Sequence, residues 1–370
     1  MSPDHAAGNS GEIISCNASE SFGAWLAESG GSLAITTYQA GKVALVGWNG
    51  RQVSLLLRQF EKPMGLAVRG SQLALATRHE LLLLADAPLL APNFLEDQPG
   101  RYDALYLPRA SYQTGDLNIH DVSFGAQGLW LVNTRFCCLS FASDQFSFVP
   151  HWKPPFVSDI VPEDRCHLNG LAMVEDQPRY ATCLGTTDTP GGWRKDKASG
   201  GVILRLPDGE IILRGLSMPH SPRWHNGQLW VLNSCQGQLL RVDVIRGTTD
   251  VVCTLPGYLR GLCFVGQYAV VGLCQIREKH IFGGLPINQR FEHLLCAVAV
   301  VNLTPGNTVG MFEFTAGCQE LFEVQFLAGV RQPMILNTQH PATRQAFTAP
   351  PFSYWLRPSN EVPLPGAPDE

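Results

Sequence analysis

Short apolar runs, each broken by Gly, Asn, Pro or Asp, recur along the chain, and no long segment keeps the 3.6-residue spacing of an amphipathic helix. The runs repeat in register. His120-Asp-Val-Ser-Phe-Gly-Ala-Gln-Gly-Leu-Trp-Leu-Val-Asn-Thr134 aligns without a gap on His220-Ser-Pro-Arg-Trp-His-Asn-Gly-Gln-Leu-Trp-Val-Leu-Asn-Ser234, at an offset of 100 residues. Weaker copies begin at Met64, Asn169, Arg260 and Phe322. Each unit holds two runs joined by a tight turn and then two more, which reads as four short strands. A single four-stranded sheet cannot bury both faces alone, so the units must pack side by side in a ring.

The expected fold is therefore all-β, a β-propeller with inner strands starting near residues 64, 120, 169, 220, 260 and 322. Leu33–Thr37, Val43–Trp48 and Val53–Leu57 supply three outer strands of a blade that lacks an inner one, and the late run Val324–Leu327 can complete it. Six blades follow, closed between N- and C-terminal segments. Met334–Asn337 is left over, which makes a seventh, partial blade the runner-up. Phe22, Trp25 and Leu26 have helical spacing ahead of the first blade. The expected division is a polar segment over 1–20, the propeller over 21–337, and a Pro-rich tail over 338–370 that reads as loop or disordered chain.

In a propeller the inner strands all begin at one mouth of the central channel. His120, Asn169, His220 and Arg260 converge there, with Asp121 and Glu323 one position further on and His167 two before Asn169. The long insertions Gly185–Gly200 and Cys274–His293 return to the same face, as does the connection Pro150–Cys166, while turns on the opposite face are short. His120, His220, Arg260 and Asp121 are thus the candidate catalytic set. Asn169, Asn133, Asn233, Trp152, Trp193, Arg194, Arg277 and Glu323 are candidate substrate contacts. His120, His167 and His220 form a possible three-imidazole site for one divalent metal ion. Other readings stay open: Asn133 and Asn233 as loop caps, Asp121 as a tie between blades, and Arg260 paired with Glu320 or Glu323. Trp130 and Trp230 read as core.

Composition narrows the function. A net charge of −5 with only 16% charged residues argues against a nucleic-acid partner, which needs a concentrated basic surface. The polar N-terminus lacks a signal-like apolar stretch and no run reaches the roughly 20 residues of a spanning helix, so a cytoplasmic protein with no membrane partner is expected. The 11 cysteines are scattered through apolar runs and read as reduced core thiols. No phosphate loop, dinucleotide fingerprint, G-x-S-x-G or H-E-x-x-H occurs, so no nucleotide cofactor is expected.

Several strings also carry a resemblance: Trp152-Lys-Pro-Pro-Phe156, Glu163-Asp-Arg-Cys-His-Leu-Asn-Gly-Leu-Ala172, Met218-Pro-His-Ser-Pro-Arg-Trp224, Pro256-Gly-Tyr-Leu-Arg-Gly-Leu262 and Phe282-Gly-Gly-Leu-Pro286. Over about Ser21 to Pro333 the chain resembles a bacterial conserved-hypothetical family with a domain of unknown function. That family is grouped with six-bladed propellers of the gluconolactonase and calcium-dependent phosphotriesterase type. The resemblance implies a channel calcium held by a Glu, Asn and Asp set, of which Asn169 matches one. His120, His220 and Arg260 depart from that set. Two functions compete: an enzyme of hydrolase, lyase or isomerase type acting on a small anionic or carbonyl-bearing metabolite, and a non-catalytic propeller binding a peptide or glycan through Trp152, Trp193 and Arg194.

Overall fold

The computed structural model of the chain describes residues 13–276 and 285–357. Its main sheets are six blades of four antiparallel strands, two of them extended by a fifth strand. The inner strands of blades one to six are Val324–Ala328, Leu66–Arg69, Ile119–Gly125, Leu168–Val174, Pro219–His225 and Tyr258–Val265. Each lies beside the inner strand of the next blade, and the sixth beside the first. Blade one closes the ring as expected: Gly31–Thr36 pairs antiparallel with Val324–Ala328, with Ile35 opposite Val324.

The alternation of side chains along each strand explains the ring. In blade one, Leu33, Ile35 and Val46 face Val298, Val300 and Phe312 of blade six. Their neighbours Ala34, Val43 and Leu45 face Leu66, Leu73 and Leu75 of blade two. In blade five, Trp230 and Leu232 pack towards blade six while Leu229 and Val231 pack towards blade four. Each blade is apolar on both faces, so the core is a set of layers between blades. The axis is left to polar residues.

Hydrogen bonds stitch the inner ends of the blades together. Thr36 Oγ1 donates to the Met64 carbonyl at 2.7 Å, and Thr134 Oγ1 to the Leu168 carbonyl at 2.6 Å. Asn169 accepts from Thr182 and donates to the Pro219 carbonyl at 2.8 Å. In blade six a thiol takes the same part, with Cys274 Sγ 3.0 Å from the Leu321 carbonyl. Close approach is possible because Gly170 has no side chain; a Cβ there would lie 2.3 Å from Pro222 Cδ.

Three chain segments differ from expectation. The leftover run near Met334 is not a seventh blade: Pro333–Ile335 pairs parallel with Ala104–Tyr106 as a fifth strand outside blade two. Ser15–Ala18, within the segment read as merely polar, pairs with Phe312–Ala316 as a fifth strand outside blade six. The described part of the tail, 338–357, is ordered, and in it Ala346–Ala349 and Phe352–Trp355 form a hairpin. Its apolar residues Ala346 and Trp355 pack on Leu90, Leu105 and Met334 of the blade-two edge, and Trp355 Nε1 donates to the Leu90 carbonyl. The expected helix is present over Glu20–Glu28, capped by Ser19, with Phe22, Trp25 and Leu26 buried.

Candidate functional site at the channel mouth

Two of the histidines have matching surroundings. His120 Nδ1 lies 3.0 Å from the Asn118 carbonyl and 2.8 Å from Thr134 Oγ1. His220 Nδ1 lies 2.9 Å from the Met218 carbonyl and 3.0 Å from Ser234 Oγ. A carbonyl only accepts, so in each ring the proton sits on Nδ1 and the lone pair on Nε2. Burial, with the nearby His167 and Arg260, holds the His120 pKa well below 6.5; burial and Arg260 do the same for His220. Both rings are neutral at pH 7.

His167 stands two residues ahead of its strand's first channel position, and its ring enters the same space. It lies edge-on to His120 with ring centres 4.7 Å apart, and against Trp193 at 4.4 Å. Its Nδ1 contacts both oxygens of Asp164, at 2.9 and 3.0 Å. Trp193 Nε1 donates to the same carboxylate at 3.0 Å, and Arg194, stacked on Trp193, reaches it at 3.5 Å. The insertion Gly185–Gly200 therefore roofs the site through Trp193 and Arg194. Leu285 and Ile287, from the described part of the second insertion, pack in the same apolar cluster as Trp193. Arg277 lies outside the described residues.

Arg260 completes the mouth. Its guanidinium lies 4.3 Å above the Phe322 ring, and one nitrogen is 3.5 Å from His220 Nε2. Phe322 in turn contacts His120, at 5.2 Å between ring centres. Among the described residues Arg260 meets no carboxylate, and its buried Nε has no hydrogen-bond partner. Glu323, one of the partners the sequence left open for Arg260, is bound elsewhere.

That partner is Arg223, a residue the sequence reading missed. Its guanidinium contacts Asp121 at 2.7 Å and Glu323 at 2.8 Å, and donates to the Leu262 and Leu171 carbonyls. It thus joins blade five to blades three, one, six and four, and spans the channel below the histidines. Asp121 and Glu323 belong to this floor and are separated from the catalytic set in which Asp121 was expected. Burial and the Asp121 charge push the Glu323 pKa up to about 7 against the pull of Arg223. Burial opposes the charge on Arg223, but the two carboxylates keep it protonated.

The remaining candidates have structural posts. The Asn169 amide is used up between blades four and five. Asn133 accepts from the Phe136 amide, and Asn233 joins the Ser217 amide to Gln238, both within loop turns. Trp152 lies in the outermost strand of blade three and donates to the Pro207 carbonyl, so it is not brought to the histidines. Among the described residues no three His, Cys, Asp or Glu side chains are grouped so as to hold a metal ion. Asp164 carried one sequence signal, its place three residues before His167 in a segment rich in charge.

Backbone strain marks the mouth. Lys62, Asn118, His167 and Met218 all have positive φ, 49°, 55°, 52° and 49°, and each stands two residues before an expected inner-strand start. Non-glycine residues held there cost about 1–3 kcal/mol each. The turn aims the carbonyls of Asn118 and Met218 at the two imidazoles.

No helix among the described residues is long and apolar enough to cross a membrane. Comparison with curated protein sequences finds no match. Among solved structures, the chain is similar to one in the crystal structure of a nidogen/laminin complex, with 8% identity, a TM-score of 0.46, and coverage of 80% of this chain and 98% of that one. It is also similar to the computationally designed Ika8 protein, with 9% identity, a TM-score of 0.36, and coverage of 79% and 78%. A family model described as "Domain of unknown function (DUF4915)" matches residues 20–336. The chain is a member of that DUF4915 family, and its six-bladed ring with the histidine-lined mouth is the fold this member presents.

Proposed function

We propose that the channel mouth takes a small anionic or carbonyl-bearing metabolite and moves a proton on it, as an enzyme of hydrolase, lyase or isomerase type. The supporting observation is Arg260, a permanently charged group set against an aromatic face and an imidazole lone pair, with no carboxylate to neutralise it among the described residues. A ligand carboxylate or developing oxyanion would supply the missing charge to the guanidinium. The neutral Nε2 atoms of His120 and His220 would then lie beside the bound anion as bases, with His167, oriented by Asp164, as the third proton site. On this reading the Asp121–Arg223–Glu323 cluster, which joins three blades at the axis, closes the channel beneath the mouth into a cup, which suits a small molecule. A peptide or glycan surface has less support, because Trp152 stands apart from Trp193 and Arg194.

The test is Arg260→Lys. Lysine keeps the charge and loses the planar fork, so affinity for a bound small carboxylate should fall by about 1.5–3 kcal/mol, the range for hydrogen bonds to charged groups. The melting temperature should barely move, since no internal ion pair is broken. Unchanged anion binding in this variant, measured by titration calorimetry, would count against the reading.

A further inference from the structure

The hydrogen-bonding polarity of the cup narrows the ligand further, on the reading that Arg260 holds an anion. Around that cation the cup offers bare acceptors. His120 Nδ1 is committed to the Asn118 carbonyl and to Thr134, whose own proton goes to the Leu168 carbonyl, so Nε2 carries a lone pair. In His167 the Asp164 carboxylate occupies Nδ1, which leaves its Nε2 uncommitted. Neither Nε2 has a partner among the described residues, although the two residues are only 6% and 8% exposed. His220 Nε2 faces Arg260 at 3.5 Å, a long contact that a closer donor can replace. These acceptors are open to solvent, and an occupant that displaces water from them keeps their hydrogen bonds only if it brings donors of its own.

We infer that the ligand is a hydroxy acid: a carboxylate on Arg260 with at least one hydroxyl donating to an imidazole Nε2. A plain carboxylate brings no donor to the imidazole acceptors. An ammonium could donate, but it would stand beside Arg260, and the carboxylate against His167, Asp164, is already engaged by His167, Trp193 and Arg194. A hydroxyl donates without adding charge.

The experiment uses the full chain and two matched sets of probes in titration calorimetry: propionate, lactate and alanine, then succinate, malate and aspartate. Within at least one set the hydroxy acid should bind about tenfold or more tightly than the plain acid, a difference of about 1.4 kcal/mol. The amino acid should bind no better than the plain acid. Long-range proton–nitrogen correlation spectra of the free protein should show His120 and His220 as Nδ1–H tautomers, with the Nε2 signal of at least one moving when the hydroxy acid is added. Plain and hydroxy acids of equal affinity would leave the Arg260 anion site standing and overturn the hydroxyl requirement. Preferential binding of the amino acids, or Nε2–H tautomers, would overturn it too. If no probe of either set binds, the anion site fails and this inference fails with it.

Discussion

At the scale of single residues, the mouth is defined by where protons sit. The repeat made His120 and His220 legible, because two identical residues at equivalent positions of different blades must share one environment. Arg223 was not legible. An extra residue at Ser221, with φ of 49°, shifts the register of the inner strand and turns Arg223 towards the axis, an effect that no linear alignment carries. The protonation pattern sets a pH dependence. The two imidazoles have folded pKa values below the ordinary 6.5, so below that pH the unfolded chain binds more protons and stability falls on acidification, by about 1.4 kcal/mol per pH unit for each ring. Glu323 works the other way. Its folded pKa of about 7 exceeds the ordinary 4.5, so the folded chain holds the proton between these values and stability rises on acidification. Two groups outweigh one, and denaturation midpoints should fall between pH 6.5 and 5. Glu323→Gln should steepen that fall; a flatter profile in the variant would contradict the assignment.

At the scale of elements, the blade is the unit, and its inner strand carries two levels of chemistry. The mouth level holds His120, His220 and Arg260, and the floor level holds Asp121, Arg223 and Glu323. The sequence placed all six strand starts to within two residues because each is announced by an apolar run after a turn. It could not separate the levels, since one step along a strand moves a side chain from open cup to buried ion pair. Arg223→Met should test the floor. It leaves two carboxylates facing each other in a buried setting, and removing one partner of a buried ionic cluster typically costs about 3–5 kcal/mol. Adding Asp121→Asn and Glu323→Gln to Arg223→Met should recover a large part of that loss in urea denaturation. No loss in the single variant would mean that the cluster is solvated and does not pin the blades.

At the scale of the whole molecule, ring closure was legible from one surplus run and one incomplete blade. The fifth strands and the C-terminal hairpin were not legible, because they add to edges that a four-strand repeat does not describe. Among the described residues the hairpin packs on the outside of blade two, so a chain ending at Asn337 should keep the six-bladed circular dichroism spectrum and lose only a few degrees of melting temperature. A chain ending at Glu323 should fail to fold, as it lacks the inner strand of blade one. This closure also orders events during synthesis. Thr36 and Glu323, hydrogen-bonded across the seam, are 287 residues apart. At ribosomal speeds of about 5–20 residues per second, the first three strands wait roughly 15–60 s for their partner. Throughout that interval Leu33 and Ile35 face no finished layer, and the open edge of their strand can pair with any extended chain nearby. Its yield in cells should therefore depend on ribosome-bound chaperones far more than the stability of the closed ring would suggest, which expression in strains with and without them would check.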